Sequence, residues 1–447
     1  METSRNHASG ENVGCWTSLA SVDPSSQKRC YSAPAYYLPA ALRDNLILLS
    51  EATAREILLE KDGNEWAAKG VRFAHGGKEY TVRVEGEVVL SAGSVQSPQL
   101  LELSGVGNSE ILKTAGIDVK VDNPNVGENL QEHMRKSPAV HQMTRNPTSP
   151  NKTCAVTMMI YEIDPSISTA EALRDDPALA KAADDEYAAT QSGARTAVGY
   201  AAAYLPFSHY ISSSEVAALA AQLPATSPST AHMRDEILTE RFTSPDRRAG
   251  QIEFIFDVSN YSPFFTSQPG KRYGTMMQML QYPFSVGSIH IPPAHSSGER
   301  TTSDDKPVID PKYYAGPGGQ VDFLSMVAAQ KFGHKVCSTR PLADMIAHRV
   351  FPPAPTSTDS DEDFSAWVRD TTMTDWHPVG TCAMGGSGGK ADGVVDERLR
   401  VYSVKGLRVV DASIMPLQIS AHLQATVYAI GEKGASMIME DWEASRV

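Results

Sequence analysis

The chain has 447 residues, of which 41% are hydrophobic and 21% charged, and it carries a formal net charge of -13. This length and composition are typical of one large or two ordinary globular domains with a sizeable core. The acidic balance disfavours nucleic acid as a partner, because such binding rests on neutralising phosphates with Lys and Arg, and the absence of any apolar run near the roughly 20 residues of a membrane-spanning helix predicts no membrane span.

The cysteines and the first residues leave the cellular compartment open. Five cysteines are scattered without a CxxC pair, which predicts free and mostly buried thiols rather than a zinc site, although Cys15 and Cys30 could pair in an oxidising compartment. The polar residues 1–14 lack the basic and apolar stretches of a signal peptide. Secretion stays open if further residues precede this chain, and the sequons at Asn151 and Asn260 are too common by chance to decide.

Residues 35–133 predict alternating strands and helices. Residues 45–49, Asn-Leu-Ile-Leu-Leu, form an apolar run suited to a buried strand. Three further strand patterns, at residues 54–60, 70–73 and 80–84, are separated by Asp-Gly and Gly-Gly turn signals and predict a β-meander. Residues 87–94 predict a strand that breaks at a glycine, and Pro98 is placed at the first turn of the next helix, which ends near Gly105.

Residues 134–350 have a different texture. The stretch 165–240 is rich in Ala and acidic residues and predicts surface helices, for example at 170–174 and 215–219. Strand candidates at 251–256, 275–280 and 287–291 follow without intervening helices, which favours an antiparallel sheet in a second, α+β domain. The polar, Pro- and Ser-rich residues 352–363 predict a linker, and the acidic residues at 304–305 and 359–363 predict solvated loops.

Two segments of the first domain combine small residues with a helix start. Residues 88–107, VVLSAGSVQSPQLLELSGVG, predict a strand whose small-residue exit lets backbone approach a nucleotide, with a helix N-terminus beyond it. Residues 125–133, NVGENLQEH, close this domain before the chain crosses to the second. We interpret His133, the last of them, as a structural histidine.

Two histidines near the C-terminus are the strongest candidates for chemistry. His377 lies in DWHPVGTCAM, where a proline and a glycine define a turn that could hold its imidazole at a cleft, and His422 lies in SAHLQATVY. A lone histidine is more often structural, but imidazole has a pKa near working pH and suits proton transfer. Asp411, at the end of an apolar strand pattern, occupies the strand-end position where α/β sheets bind ligands, with a helix cap as the alternative role.

In this order, the segments at 88–107, 125–133, 375–384, 407–416 and 420–428 resemble those of the glucose–methanol–choline (GMC) family of flavin oxidoreductases. The resemblance covers nearly the whole chain and implies an α/β flavin-binding domain, an incomplete Rossmann-like fold, plus an α+β substrate domain with an antiparallel sheet. It implies that residues 1–133 and 363–447 form the two parts of the FAD-binding domain, and residues 134–362 the substrate-binding domain.

The resemblance also implies the roles of individual residues. His377 would act as the base that takes the alcohol proton, and His422, as in the glucose-oxidase-like and aryl-alcohol-oxidase-like branches, would hydrogen-bond the alcohol oxygen. Hydride would pass to FAD, and oxygen or a quinone would then accept the electrons. The residues that would contact FAD are Asp411 and Ala412, Gln424, Ala425 and Thr426, and, through its backbone at the adenine, Ala54. No metal-binding motif such as HExxH appears.

One family feature is not found in this sequence, namely the GxGxxG βαβ unit that holds the pyrophosphate. We therefore expect that this chain lacks the first segment of the family. It would then be a fragment, one half of a two-chain protein, or a variant that no longer binds flavin tightly. The leading hypothesis is therefore an FAD-dependent oxidoreductase acting on a small-molecule alcohol. The alternatives are a non-redox cyclase or dehydratase that uses the same histidines, and a truncated, non-catalytic homologue. The substrate, the choice between oxidase and dehydrogenase, and the oligomeric state stay open.

Overall fold

The structure is a computed structural model that describes residues 10, 12–133, 158–196, 201–223, 230–243, 249–316, 318–353, 360–372 and 374–444. The helices, in chain order, are α1 Leu38–Ala40, α2 Gly93–Leu103, α3 Ser109–Thr114, α4 Ala170–Asp175, α5 Pro177–Thr190, α6 Ser213–Ala220, α7 Thr230–Thr243, α8 Gly319–Cys337, α9 Asp361–Thr371 and α10 Gln424–Ala444.

The strands, in chain order, are β1 Gly14–Thr17, β2 Val22–Asp23, β3 Lys28–Arg29, β4 Ala52–Asp62, β5 Glu65–His75, β6 Lys78–Arg83, β7 Val88–Leu90, β8 Val106–Gly107, β9 Val121–Asp122, β10 Met158–Ile163, β11 Ala201–Leu205, β12 Ile252–Asp257, β13 Tyr273–Leu280, β14 Ser288–His290, β15 Val308–Asp310, β16 Ile346–Phe351, β17 Val404–Lys405 and β18 Leu407–Val409.

The largest sheet has six strands in the order β1-β11-β12-β13-β10-β16, and all of its neighbouring strands are antiparallel. Helix α8 packs on it, and Tyr161, Phe254 and Met276 of the sheet share one apolar core with Met326 of that helix. The antiparallel sheet and the helices predicted at 170–174 and 215–219 are thus confirmed. Strand β1 is a difference, since it comes from the part of the chain that we expected to be purely flavin-binding.

The flavin-domain part of the chain contains the predicted meander, because β4, β5 and β6 pair as consecutive antiparallel strands. Strand β17 joins β5 in parallel, and β7 and β18 form a separate two-stranded parallel sheet. Helix α2, the sheet that contains β4, and the sheet of β7 and β18 share one core. It includes Ile57, Leu101 and Val409, each fully buried. Residues 57–126 and 382–414 therefore contribute to one hydrophobic core.

The prediction of a buried strand at residues 45–49 is wrong for the described chain. These residues have no regular structure, and their side chains are open, with Ile47 89% and Leu48 63% exposed. A strand needs a neighbour for its backbone N–H and C=O groups. The parallel sheet of β7 and β18 has no third strand among the described residues, and Val89 on β7 is itself 42% exposed.

Helix α2 starts earlier than predicted, at Gly93, and Pro98 lies inside it rather than at its first turn. A proline in a helix interior leaves the carbonyl four residues earlier, here that of Ser94, without its backbone donor. The hydroxyl of Thr381 donates to that carbonyl at 2.7 Å. The helix thus continues past Pro98 because a residue 287 positions away in the sequence replaces the missing donor.

Two other predictions need correction. The strand candidate at 287–291 is β14, which pairs with β15 outside the large sheet. The predicted linker and its acidic loop end in helix: Ser360 forms a capping box with Asp363, and α9 begins at Asp361, while residues 354–359 lie outside the described part. The first sequon and Cys154 also lie outside it; Cys15 and Cys30 are half-buried and unbridged, and Cys337 and Cys382 are buried.

None of the described helices has the length and apolar character needed to cross a membrane.

Strand β14 is fastened to helix α2 by a buried carboxylate. Glu102 accepts from the Ile291 backbone at 2.8 Å and bonds His290 Nδ1 at 2.8 Å, while Nε2 of the same ring lies 3.1 Å from Glu128. Burial alone would lower the pKa of His290, but the hydrogen bonds to both carboxylates outweigh it and raise this pKa to about 9.

This histidine predicts a pH-dependent stability. A raised folded-state pKa means that the stabilisation by His290 is fully present below its unfolded pKa and is lost as pH rises through about 9. We expect the free energy of unfolding to fall by about 2 kcal/mol more between pH 7 and pH 10 in the unchanged chain than in His290→Gln, because one pKa unit is worth about 1.4 kcal/mol and the side chain is partly solvated. Urea unfolding at several pH values measures this difference, and parallel curves for the two proteins would contradict it.

Candidate active site

Four segments of the chain meet at the site. His133 ends the 125–133 segment, His377 lies in the turn after α9, His422 precedes α10, and Glu253 lies on β12 of the large sheet. Val379, Met415 and Leu423 form a small apolar cluster that joins the His377 and His422 segments to the turn after β18. Residues from the first 133 residues, from the large sheet and from the C-terminal part of the chain therefore contribute to one site.

The turn that carries His377 depends on unusual backbone. Trp376 has a left-handed φ of +56°, and Gly380 has a φ of +93°. A Cβ at Gly380 would lie 2.3 Å from the carbonyl oxygen of Asn129, so only glycine permits this approach. The same two segments pair through Gln131 and Val379, whose backbones exchange hydrogen bonds of 3.1 and 2.9 Å. The small-residue run after His377 thus fixes it against the 125–133 segment.

The two predicted histidines are brought together. The imidazole centroids of His377 and His422 lie 5.2 Å apart, with their planes inclined at 63°. The side chain of His377 is 16% exposed and that of His422 is 40% exposed, so both can be reached from outside. A third imidazole, that of His133, packs edge-on against His377 with 5.1 Å between centroids.

Two buried carboxyl groups lie next to the two histidine rings. Glu253, fully buried, lies 3.0 Å from Nε2 of His422. Asp375, also buried, lies 3.1 Å from Nδ1 of His377. Neither carboxyl group was predicted from the sequence, although a glutamate within the apolar pattern of β12 was a usable signal.

The backbone of His377 is held on both sides. Its N–H donates to the carboxyl of Glu132 at 2.7 Å, and its carbonyl accepts from the side chain of Gln418 at 2.9 Å. Burial raises the pKa of Glu132 to about 8, against the lowering effect of the hydrogen bond from His377. The position of the imidazole is therefore set by neighbours that lie far away in sequence.

Five of the six predicted cofactor residues lie beside this site. Asp411 caps the short helix Ala412–Ile414, and its carboxylate accepts from the Gly93 backbone at 2.9 Å and from Ser97 and Ser413. The side chain thus acts as a cap, which leaves the backbone for a ligand. Ala412 packs against the small apolar cluster.

Gln424, Ala425 and Thr426 form the first turn of α10, which starts two residues after His422, and the first two are exposed. The N-terminal turn of a helix has unpaired backbone N–H groups that suit polar or anionic atoms. Ala54 lies apart from the other five, exposed on β4 opposite Phe73.

The residues beside the two histidines could hold the ring end of a flavin. Ala412 packs against the same apolar cluster as Val379 and Leu423, and α10 starts two residues after His422. Two glycines elsewhere are closely packed by the protein itself: a Cβ at Gly105 would meet the Asp118 carbonyl at 2.5 Å, and one at Gly385 would meet the Gly389 carbonyl at 2.1 Å. At Gly93, which begins α2, and at Gly386 no atom lies within 4 Å of such a Cβ.

One group in the described part of the chain could hold a metal ion, namely His133, Asp375 and His377, whose ligand atoms all lie within 4.8 Å of one another. The Nδ1 atoms of the two histidines are 3.0 Å apart, which is a hydrogen-bond distance. A shared proton accounts for this contact without an ion.

Comparison with known proteins gives a consistent result. A family model described as GMC oxidoreductase matches residues 2–135 with its N-terminal part and residues 283–431 with its C-terminal part. The chain is 33% identical to "Dehydrogenase mpl7" of Monascus purpureus over 97% of its own length and 67% of the relative's. It is 28% identical to "Versicolorin B synthase" of Aspergillus parasiticus over 94% of its own length and 56% of the relative's. The chain thus spans about two thirds, or less, of the length of these relatives.

Solved structures agree on the fold. An FAD-dependent oxidoreductase from Chaetomium thermophilum superposes with a TM-score of 0.74 at 20% identity, over 98% of this chain and 71% of that one. A fungal aryl-alcohol oxidase superposes with the same TM-score of 0.74 at 24% identity, over 98% of this chain and 68% of that one. The resemblance and the fold class inferred from the sequence are therefore confirmed.

Proposed function

The chain belongs to the GMC oxidoreductase family, whose cofactor is FAD, and from this premise we propose that it oxidises the CH–OH group of a small-molecule alcohol, with His377 as base and His422 as hydrogen-bond partner. The observation that carries the proposal is the pair of accessible imidazoles 5.2 Å apart, each backed by a buried carboxyl group. Proton removal from an alcohol needs such a base within reach of the hydroxyl.

The hydrogen bonds divide the work between the two rings. Nδ1 of His377 faces Asp375 and His133, so Nε2 is the nitrogen left for the hydroxyl proton. Nε2 of His422 faces the buried carboxyl group of Glu253, which orients this ring. We assign His422 as the hydrogen-bond partner of the alcohol oxygen because its side chain is 40% exposed and its ring lies beside that of His377.

FAD, when bound, would supply the acceptor for the hydride, with oxygen or a quinone as the final electron acceptor. We propose that the backbone of Asp411 and Ala412 and the first turn of α10, at Gln424, Ala425 and Thr426, hold its ring end. Ala54 is proposed for the adenine. We propose that residues 1–133 and 363–447 form the FAD-binding domain and residues 134–362 the substrate-binding domain. The exception is β1, which pairs with the large antiparallel sheet.

Titration of the purified chain with FAD, followed by anaerobic addition of a primary alcohol, tests the proposal. We expect a perturbed visible flavin spectrum on binding, and bleaching of that spectrum when alcohol is added. Free FAD with the same alcohol is the control. A chain that binds FAD but whose spectrum survives a broad panel of alcohols would contradict alcohol oxidation.

Similarity to a relative named as a synthase favours a second candidate, a non-redox cyclase or dehydratase that uses the two histidines for acid–base work. Such a reaction needs no electron acceptor. Product formation without oxygen, without a quinone and without flavin bleaching would identify it.

A further inference from the structure

We propose that His133 is a positioning residue that fixes the tautomer of His377, so that the Nε2 atom of His377 is the basic nitrogen. The sequence alone suggested only a structural histidine. This inference rests on the proposed function for its catalytic meaning, but the tautomer itself is a property of the chain with or without substrate.

The hydrogen-bond partners of His133 determine where its own hydrogen lies. Its Nε2 is 2.7 Å from the carbonyl oxygen of Ile419, and a carbonyl only accepts, so this nitrogen carries a hydrogen. The side chain of His133 is fully buried, and burial disfavours the charged imidazolium, so the ring is neutral and has only that one hydrogen. Its Nδ1 is therefore a lone-pair acceptor.

That acceptor determines the state of the next ring. Nδ1 of His377 lies 3.0 Å from Nδ1 of His133 and 3.1 Å from a carboxyl oxygen of Asp375. A second lone pair at this nitrogen would face the lone pair of His133, so Nδ1 of His377 must carry a hydrogen. In the neutral ring Nε2 then holds the lone pair, which is the form needed to accept a proton.

The reverse arrangement is excluded by the same contacts. If Nδ1 of His133 donated to His377, Nε2 of His133 would have no hydrogen and would face the Ile419 carbonyl with a lone pair at 2.7 Å. A doubly protonated His133 would be a buried cation, which burial strongly disfavours. The direction of the chain from His377 to His133 to Ile419 is thus set by a backbone carbonyl.

The backbone keeps the two rings in place. The carbonyl of His133 accepts from the N–H of Asp375 at 2.8 Å, two residues before His377. This backbone hydrogen bond joins the end of the 125–133 segment to the turn at Asp375–His377, next to the contact between the two rings.

Nitrogen NMR on the full chain, labelled with ¹⁵N-histidine and recorded with and without FAD, reads the tautomers directly. The chain has 12 histidines, so single substitutions at 133 and 377 assign the two rings. We expect His133 as the Nε2–H form and His377 as the Nδ1–H form. His377 in the Nε2–H form would overturn the proposal, whatever the catalytic activity, and so would a spectrum of these two rings that changes on addition of a chelator, which would indicate a bound metal.

Two substitutions separate positioning from mere packing. The amide oxygen of His133→Asn lies near the position of Nδ1 and can still accept from His377, whereas the amide nitrogen of His133→Gln lies near the position of Nε2 and can still donate to Ile419. We expect Asn to rescue the Nδ1–H signal of His377 and most of kcat. We expect Gln to mix the tautomers of His377 and lower kcat about 10-fold to 100-fold with little change in KM, since a lost hydrogen bond is worth about a tenfold population change or more.

Equal losses in the two variants would show that the ring only fills space and would overturn the proposal. The outcome for the proposed function is separate. If the tautomers are as expected but His377→Ala still oxidises alcohol, the assignment of the base fails while the hydrogen-bond chain stands.

Discussion

Replacing His377 with alanine is expected to lower kcat for alcohol oxidation by about 10³-fold, within the range of roughly 10²–10⁴ that general-base catalysis contributes. The reason is geometric, because the imidazole is the accessible end of a hydrogen-bonded chain whose buried end is the carbonyl of Ile419. Alanine removes the proton acceptor but leaves the backbone bonds to Glu132 and Gln418 in place. FAD binding should therefore change little.

The measurement is single-turnover reduction of the bound flavin by alcohol, which isolates the chemical step from product release. His422→Asn is the matched comparison: it keeps a hydrogen-bonding side chain near the substrate oxygen, and we expect a smaller loss than for His377→Ala. His348→Ala, at an exposed position on β16, controls for the loss of a histidine elsewhere and should leave the rate unchanged. If His422→Asn proved the more damaging of the two, the roles of the two histidines would have to be exchanged.

Local sequence was enough to predict the elements that depend on local signals. The meander follows from alternating strands and glycine turns, and the two histidines could be paired because each lies in a motif whose order along the chain is distinctive. Glu253 and Asp375 were missed for a different reason. Glu253 reaches His422 from the six-stranded sheet through the register of β12, which no local pattern encodes.

The wrong predictions share a physical cause, since they concern neighbours distant in sequence. An apolar run such as residues 45–49 indicates a tendency to be buried, but burial requires a partner strand, and none lies beside it in the described chain. Pro98 indicates the start of a helix unless another group replaces the missing hydrogen bond, as the hydroxyl of Thr381 does. The ring contact between His133 and His377, 244 residues apart, was not predicted for the same reason.

Replacing Asp411 with alanine is expected to destabilise the chain by about 3–5 kcal/mol, because it leaves several buried donors without their acceptor. The carboxylate holds together the backbone N–H of Gly93, the hydroxyl of Ser97 and the turn at Ser413. These contacts join the start of α2 to the end of β18, two elements from opposite ends of the chain. The loss would be a large part of the 5–15 kcal/mol that is typical of a folded domain.

Urea unfolding of the substituted chain measures the loss, and Asp176→Ala is the matched control. Asp176 is also an N-cap aspartate, of α5, but it is exposed, so we expect a cost of only about 1 kcal/mol there. Asp411→Asn should fall between the two, because its amide oxygen accepts from some of the donors while its NH₂ group opposes others. A loss below about 1 kcal/mol for Asp411→Ala would show that water replaces the carboxylate. In that event the same turn would be too open to hold a flavin ring, and FAD affinity measured in parallel would be low in the unchanged chain as well.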